Sequence, residues 1–261
     1  MNDQYILQVH EVNKSFSTNN QIETVLSNIS LRIKKGEIIS ILGKSGCGKS
    51  TLLNIMGGFV QADEGHVLFE NKKIKKPHRE CVMLFQHYGL FPWRSVLKNV
   101  EFGLEGTGLT AKGRTERALE YITLVGLEDK THSFVHQLSG GMQQRVAIAR
   151  ALAVKPALIL MDEPFAALDT FNRYYLQEEL LKLKEQENTT IVLVTHDIDE
   201  AVYLSDRILI LKDKPGALKK EITLRLGKPR DRSNEDFQYF RKLVFKEFDF
   251  NQPAKQPEFN I

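Results

Sequence analysis

Gly43-Lys44-Ser45-Gly46-Cys47-Gly48-Lys49-Ser50-Thr51 is the stretch whose reading decides the fold. It fits G-x-x-x-x-G-K-[ST], and the apolar run before it, Ile38-Ile39-Ser40-Ile41-Leu42, reads as a buried strand. Leu52-Leu53-Asn54-Ile55-Met56 follows as a helix closed by Gly57-Gly58. Strand, glycine loop and helix are the context in which this pattern cradles phosphates. Glycines let the backbone take positive φ and turn its N–H groups inward, and the helix N-terminus adds partial positive charge. Lys49 supplies a mobile cation for outer phosphates and Ser50 a hydroxyl for Mg²⁺. The alternative is a glycine-rich turn that matches by chance; the flanking strand and helix argue against it.

Further along the chain, 157–161 runs apolar into Asp162-Glu163-Pro164, and 190–195 runs into His196-Asp197. Both read as parallel strands covered on both faces. Cys81-Val82-Met83-Leu84-Phe85, ending at Gln86, is another. Strands alternating with helices, with polar residues gathered at strand C-termini, describe an α/β core. Residues 5–12 and 25–33 read as strands at period two. Between them Phe16 stands in a polar stretch, either stacking on a base or anchoring a loop in the core. After a short strand at 66–69, the basic run 72–79 is a solvated loop tip or a point of attraction to acidic lipid.

From His87 to about Gln137 the strand signals give way to helical patterns around 95–104 and 111–125. Leu138-Ser139-Gly140-Gly141 then opens a helix with Met142, Val146, Ala149 and Ala153 on one face. These patterns predict a helical subdomain inserted at about 87–155. A charged helix at 171–187 follows, then an antiparallel pair, 207–212 and 217–226, around Lys214-Pro215-Gly216. The main domain is expected over 1–226. The remainder, 227–261, is a helix striped by Phe237, Phe240, Val244 and Phe248 with a frayed tail from Asn251.

Bulk composition removes several classes. A chain of 261 residues, 42% hydrophobic and 26% charged, suits one large soluble domain or one with an insertion. A net charge of +3 gives no ground for nucleic-acid binding. Cys47 and Cys81 have no metal-ligand spacing and fit a reducing compartment. No run approaches the roughly 18 apolar residues of a membrane span, and Met1-Asn2-Asp3-Gln4-Tyr5 lacks a signal-peptide pattern. A cytosolic chain is expected, with any membrane role supplied through a partner.

A nucleotide tail presents closely spaced negative charges, and two such charges about 4 Å apart repel by about 4 kcal/mol at an effective dielectric near 20. Backbone donors, Lys49 and a metal offset this. Asp162, ending an apolar strand, is placed to hold Mg²⁺ with Ser50; the other reading is a helix cap. Glu163 comes next and points differently, as a base or water-orienting group would. His196 either meets the same phosphate and water or caps the turn at Asp197.

Leu138-Ser139-Gly140-Gly141-Met142-Gln143-Gln144-Arg145 resembles the signature motif of ATP-binding cassette ATPases, and it lies between the two nucleotide motifs as in that family. Gln86 is similar to the family's Q-loop glutamine, Ala167-Leu168-Asp169 to its D-loop, His196 to its switch histidine and Phe16 to the aromatic that stacks on adenine. The resemblance covers about residues 5–225. It implies a P-loop nucleotidase core with a mostly parallel sheet, an N-terminal antiparallel β part and the inserted helical subdomain. It implies ATP and Mg²⁺ as well, with catalysis by Glu163, His196 and Lys49 and metal contacts from Ser50, Gln86 and Asp162. Nucleotide contacts are implied for Phe16, residues 43–51, Gln86, Ser139, Gly140, Gly141, Asp162 and His196. Two copies would sandwich two ATPs, each between one copy's Lys49 loop and the other's Ser139-Gly140-Gly141.

Gly89-Leu90-Phe91-Pro92-Trp93-Arg94-Ser95-Val96, Met142 and Lys214-Pro215-Gly216 look like the nitrate, sulfonate and taurine importer group, and pyrimidine-precursor importers share them. This implies an importer ATPase docked under two permease subunits at the cytoplasmic face of the cell membrane, with a solute-binding protein delivering substrate. An exporter ATPase is the near alternative, though exporters often fuse the cassette to membrane helices. DNA-repair and chromosome cassettes carry long coiled-coil or zinc insertions, and only about fifty residues separate Gln86 from Leu138. Ribosome-associated cassettes generally pair two cassettes in one chain. A non-hydrolysing regulator would be expected to lose Glu163 or His196.

Overall fold

The apolar run that leads into the phosphate-binding pattern becomes a middle strand of a six-stranded sheet. The computed structural model describes residues 5–18 and 21–248. The tail expected to fray from Asn251, and the first four residues of the N-terminal reading, lie outside the described residues.

A long hairpin, β1 (Tyr5–Thr18) and β2 (Gln21–Lys34), opens the chain, followed by β3 (Ile38–Leu42) and α1 (Lys49–Met56). Strands β4 (Glu64–Phe69), β5 (Lys72–Lys73) and β6 (Cys81–Leu84) come next. Helices α2 (Val96–Gly103), α3 (Ala111–Leu124) and α4 (Gly140–Ala153) fill the interval before β7 (Leu158–Asp162). The rest is α5 (Thr170–Glu187), β8 (Thr190–Val194), α6 (Ile198–Leu204), β9 (Arg207–Leu211), β10 (Leu218–Thr223) and α7 (Glu235–Lys246).

The larger sheet has the order β10-β9-β3-β8-β7-β6, parallel throughout except for β10 against β9. The second is antiparallel, in the order β2-β1-β4-β5. Every residue of β3, β7 and β8 is buried, as a strand covered on both faces requires. Alternate side chains of β3 then serve two cores. Ile38 and Leu42 pack with the helices α4, α6 and α7, and Ile39 and Ile41 with α1 and the antiparallel sheet. Polar residues set the helix starts: Ser95, Thr110, Ser139, Asp169, Asp197 and Asn234 each accept a backbone N–H bond at the head of their helix.

The structure departs from the sequence reading in three places. The first two strands run past 5–12 and 25–33, because the distal half of the hairpin pairs through its backbone while its side chains stay largely exposed. Apolar alternation therefore ends before the strand does. Phe16 consequently lies on β1 opposite Glu23, 41% exposed, neither in a loop nor anchored in the core. Lys72 and Lys73 form the edge strand β5 rather than a loop tip. Helix α6 is an addition, its seven residues being too few to set up a visible period.

The C-terminal segment is packed on the core. Phe237 and Val244 of α7 are buried in it. Arg230 donates to the carbonyls of Val202 (2.7 Å) and Tyr203 (3.1 Å), the last turn of α6, where a cation complements the helix dipole. The Arg232 guanidinium lies 3.9 and 3.5 Å from the ring centroids of Tyr174 and Tyr203.

Candidate functional site

In parallel sheets, ligands bind beyond the strand C-termini. Here β3, β8, β7 and β6 are consecutive neighbours, so the loops that leave them meet at one edge. The β3 loop carries the glycine pattern. Gly46 and Gly48 take φ of 79° and 95°, a region costly for other residues, and this lets the loop close on the head of α1. Lys49, 8% exposed, donates to the carbonyls of Gly43 (2.8 Å) and Lys44 (2.9 Å), so its ammonium sits inside the loop. Within the β9–β10 turn, Gly216 donates to the Val25 carbonyl and accepts the Ser27 N–H of β2 (2.8 and 2.9 Å), tying that hairpin beside the loop.

Asp162 closes β7, buried, with Ser50 near its carboxylate. Burial pushes its pKa up, and the neighbouring Glu163 charge adds to this, while Ser50 and Lys49 pull the other way. A buried carboxylate crowded by a second one is a group that a cation would stabilise. The hard oxygens of Asp162 and Ser50 are the donor type that Mg²⁺ takes. Asp162 caps no helix; Asp169 does that for α5.

Glu163 takes φ 50°, uncommon for a residue with a side chain, and its N–H donates to Val194 of the next strand (2.9 Å). This turn directs the carboxylate between two partners. Gln86 Nε2 approaches Oε2 at 3.4 Å, and His196 Nδ1 lies 3.2 Å from Oε1. His196 does not cap the following turn: Asp197 caps α6, and the Thr195 hydroxyl accepts the Asp197 N–H. Lys49, Ser50, Gln86, Glu163 and His196 all line one open cleft of 510 Å³, with Val25 at its rim.

Other residues singled out in the sequence lie outside that cleft. Phe16 does not line it, and neither do Ser139, Gly140 and Gly141 at the head of α4, where Ser139 and Gly140 are exposed. Sequence reasoning gave no individual role to two residues that hold the surrounding loops, Gln144 within the signature-like stretch and Arg173. Arg173 donates to Asp197 (3.2 Å) and to the Leu168 carbonyl (3.2 Å), joining the loop before α5 to the turn after β8. Gln144, 3% exposed, bonds the backbone of both Glu163 and Ala167. Gln144 serves backbone groups 19 and 23 residues away, and Arg173 joins a nearby carbonyl to the carboxylate of another loop, so neither pairing leaves a local sequence signal.

In the first turn of α6, Glu200 is 6% exposed and accepts the Thr195 hydroxyl at 2.7 Å. Burial, with the nearby Asp197 and Glu163 charges adding to it, pushes its pKa up to about 7, against the pull of Thr195 and Arg173. A carboxyl whose pKa is higher folded than unfolded binds more protons in the native state between the two values. Stability from Glu200 is therefore present below pH 4.5 and is lost as pH rises towards 7, by on the order of 3 kcal/mol. Urea unfolding of Glu200→Gln should show the variant gaining on wild type between pH 5 and pH 8. A difference independent of pH would contradict this.

The chain matches the ABC transporter family profile over residues 26–166. It is 48% identical to an uncharacterised ABC transporter ATP-binding protein of Methanocaldococcus jannaschii, over 91% of this chain and 89% of that one. It is 43% identical to an aliphatic sulfonates import ATP-binding protein of Bacillus cereus, covering 94% and 96% of the two chains. To a taurine import ATP-binding protein of Yersinia pestis it is 45% identical, covering 79% and 81%. Among solved structures it is similar to a dimeric ATP-binding cassette in a post-hydrolysis state bound to ADP and Pi. The TM-score is 0.77 at 38% identity, over 85% of this chain and all of that one.

Proposed function

The chain belongs to the ABC transporter family, and from that premise we propose that it is the ATP-hydrolysing subunit of an importer for sulfonates, taurine or related small anions. The observation that carries this reading is the gathering of Lys49, Gln86, Glu163 and His196 around one cleft that Ser139, Gly140 and Gly141 do not line, Ser139 and Gly140 being exposed elsewhere. A cleft built this way has one wall missing. A second copy, presenting the head of its α4, supplies it, and the dimeric cassette to which this chain is similar supports that assembly.

In this reading the N–H groups of residues 43–51 and Lys49 hold the outer phosphates of ATP, and Phe16 offers an exposed ring to the adenine. Ser50, Asp162 and Gln86 hold Mg²⁺, which when bound supplies charge neutralisation at the phosphates. Glu163 accepts a proton from the attacking water, and His196 and Gln86 keep its carboxylate aimed. ATP favours the closed dimer by as much as it binds that state better than the open one, and hydrolysis removes the bias.

The helices at 87–155 form the part that grips the permease, and 227–248 is an appended packing segment. Along β6, a groove of 310 Å³ lined by Phe59, Met83, Leu84, Phe102 and Arg150 offers apolar surface to a permease loop. Phe59 and Phe102 are 43% and 38% exposed there. Among the described residues no helix is long and apolar enough to cross a membrane. In this reading, attachment at the cytoplasmic face comes through two permease subunits, with a solute-binding protein upstream. The names of the sulfonate and taurine relatives support the substrate class.

The test is uptake by vesicles carrying this chain and its permease subunits, with the solute-binding protein present and labelled taurine, an alkanesulfonate and nitrate supplied in turn. ATP-dependent accumulation of one of them, abolished by Glu163→Gln, supports the reading. Hydrolysis without uptake of any of the three would overturn the substrate class.

A further inference from the structure

Glu163 carries its proposed duty on a backbone that must be held in place. Its φ of 50° lies in the left-handed region, where a non-glycine residue costs of order 1 kcal/mol and persists only when its surroundings enforce it. Three hydrogen bonds do so. Its N–H donates to the Val194 carbonyl at 2.9 Å, and its own carbonyl accepts the Ala166 N–H at 3.3 Å. The third comes from a side chain: Gln144 Nε2 donates to the same carbonyl at 3.1 Å.

The Gln144 amide is spent on this loop alone. While Nε2 serves Glu163, Oε1 accepts the Ala167 N–H at 3.0 Å, and the side chain is buried. Gln144 lies one turn inside α4, and the head of that helix rests on the same loop. A Cβ added at Gly141 would stand 3.1 Å from the Ala167 carbonyl, closer than most side chains tolerate. The amide therefore spans the loop between Glu163 and Ala167 from one rigid helix.

We propose that Gln144 is a positioning residue for hydrolysis, acting through Glu163: its amide fixes the left-handed turn that aims the Glu163 carboxylate between Gln86 and His196. This rests on the reading of Glu163 as the group that takes the proton from water. The same helix carries Ser139, Gly140 and Gly141 at its head. The tie thus runs from the segment proposed to meet the partner's nucleotide to the acid acting on the chain's own.

Two substitutions separate positioning from packing. Gln144→Met keeps the side-chain length and loses both bonds. Gln144→Glu keeps the acceptor for Ala167 but presents the Glu163 carbonyl with a carboxylate. ATPase kinetics and thermal unfolding are measured for each, alone and combined with Glu163→Gln. The expected result is a fall in kcat of at least about tenfold for both, with KM for ATP within about threefold and a cooperative unfolding transition. Neither should lower the residual rate of Glu163→Gln further, since the group being positioned is already absent. An equal fold-loss in both backgrounds, an effect on KM alone, or a wild-type rate for Gln144→Met would overturn the proposal. A Glu163→Gln protein that turns over at the wild-type rate would overturn the Glu163 reading itself, and that failure is distinct because it appears before Gln144 is touched.

Discussion

Glu163→Gln should bind ATP as wild type does and hydrolyse it slower by about 10²- to 10⁴-fold, the usual contribution of a positioned base. The amide is isosteric with the carboxylate, so contacts with Gln86 and His196 remain available at 3.4 and 3.2 Å. What disappears is the capacity to take a proton. If the nucleotide closes a dimer, a variant that cannot hydrolyse should also collect there. Light scattering should then register a doubled mass with ATP and none with ADP. Turnover near wild type would remove Glu163 from its role.

Lys49→Ala should cost more at the binding stage. Lys49 is a buried ammonium bonded to the Gly43 and Lys44 carbonyls, so its loss removes positive charge from the middle of the phosphate loop. By analogy with other oriented donors, transition-state stabilisation should fall by roughly 3 kcal/mol, about 10²-fold in kcat/KM. ATP affinity should weaken too, because the ground-state phosphates lose the same partner. The two variants therefore separate: Glu163→Gln spares the ATP Kd and Lys49→Ala does not. An unchanged kcat/KM in Lys49→Ala would end the phosphate-loop reading.

Some of this molecule was legible in the chain and some was not, for physical reasons. The loop at 43–51 is local chemistry: its glycines, lysine and serine act on one ligand within one turn, so sequence displays the arrangement directly. Strands β3, β7 and β8 are apolar apart from Ser40, Asp162 and Thr190 because both faces are covered, and that too is visible. The exposed half of the β1–β2 hairpin and the short α6 carry no period, and their extents emerged only with the fold.

The site divides along the same line. Placing Gln86, Glu163 and His196 at strand ends follows from the apolar runs before them. Their convergence on one carboxylate depends on β3, β8, β7 and β6 being neighbours, an order that no stretch of sequence states. Gln144 and Arg173 were illegible for a further reason. Gln144 serves the backbone of Glu163 and Ala167, which has no residue identity to read, and Arg173 meets Asp197 only because the fold brings two loops together.

The central claim is that each ATP is held by two copies, one giving its Lys49 loop and the other its Ser139-Gly140-Gly141. Mixing a Lys49→Ala protein with a Ser139→Ala protein tests it directly. Each variant alone has no intact site. In a mixed dimer one site carries both substitutions, and the other pairs an intact loop with an intact Ser139. With free exchange and independent sites, the mixture should recover about a quarter of the wild-type ATPase rate, since half the dimers are mixed and each has one intact site. A mixture no more active than the average of its two components would contradict the shared site.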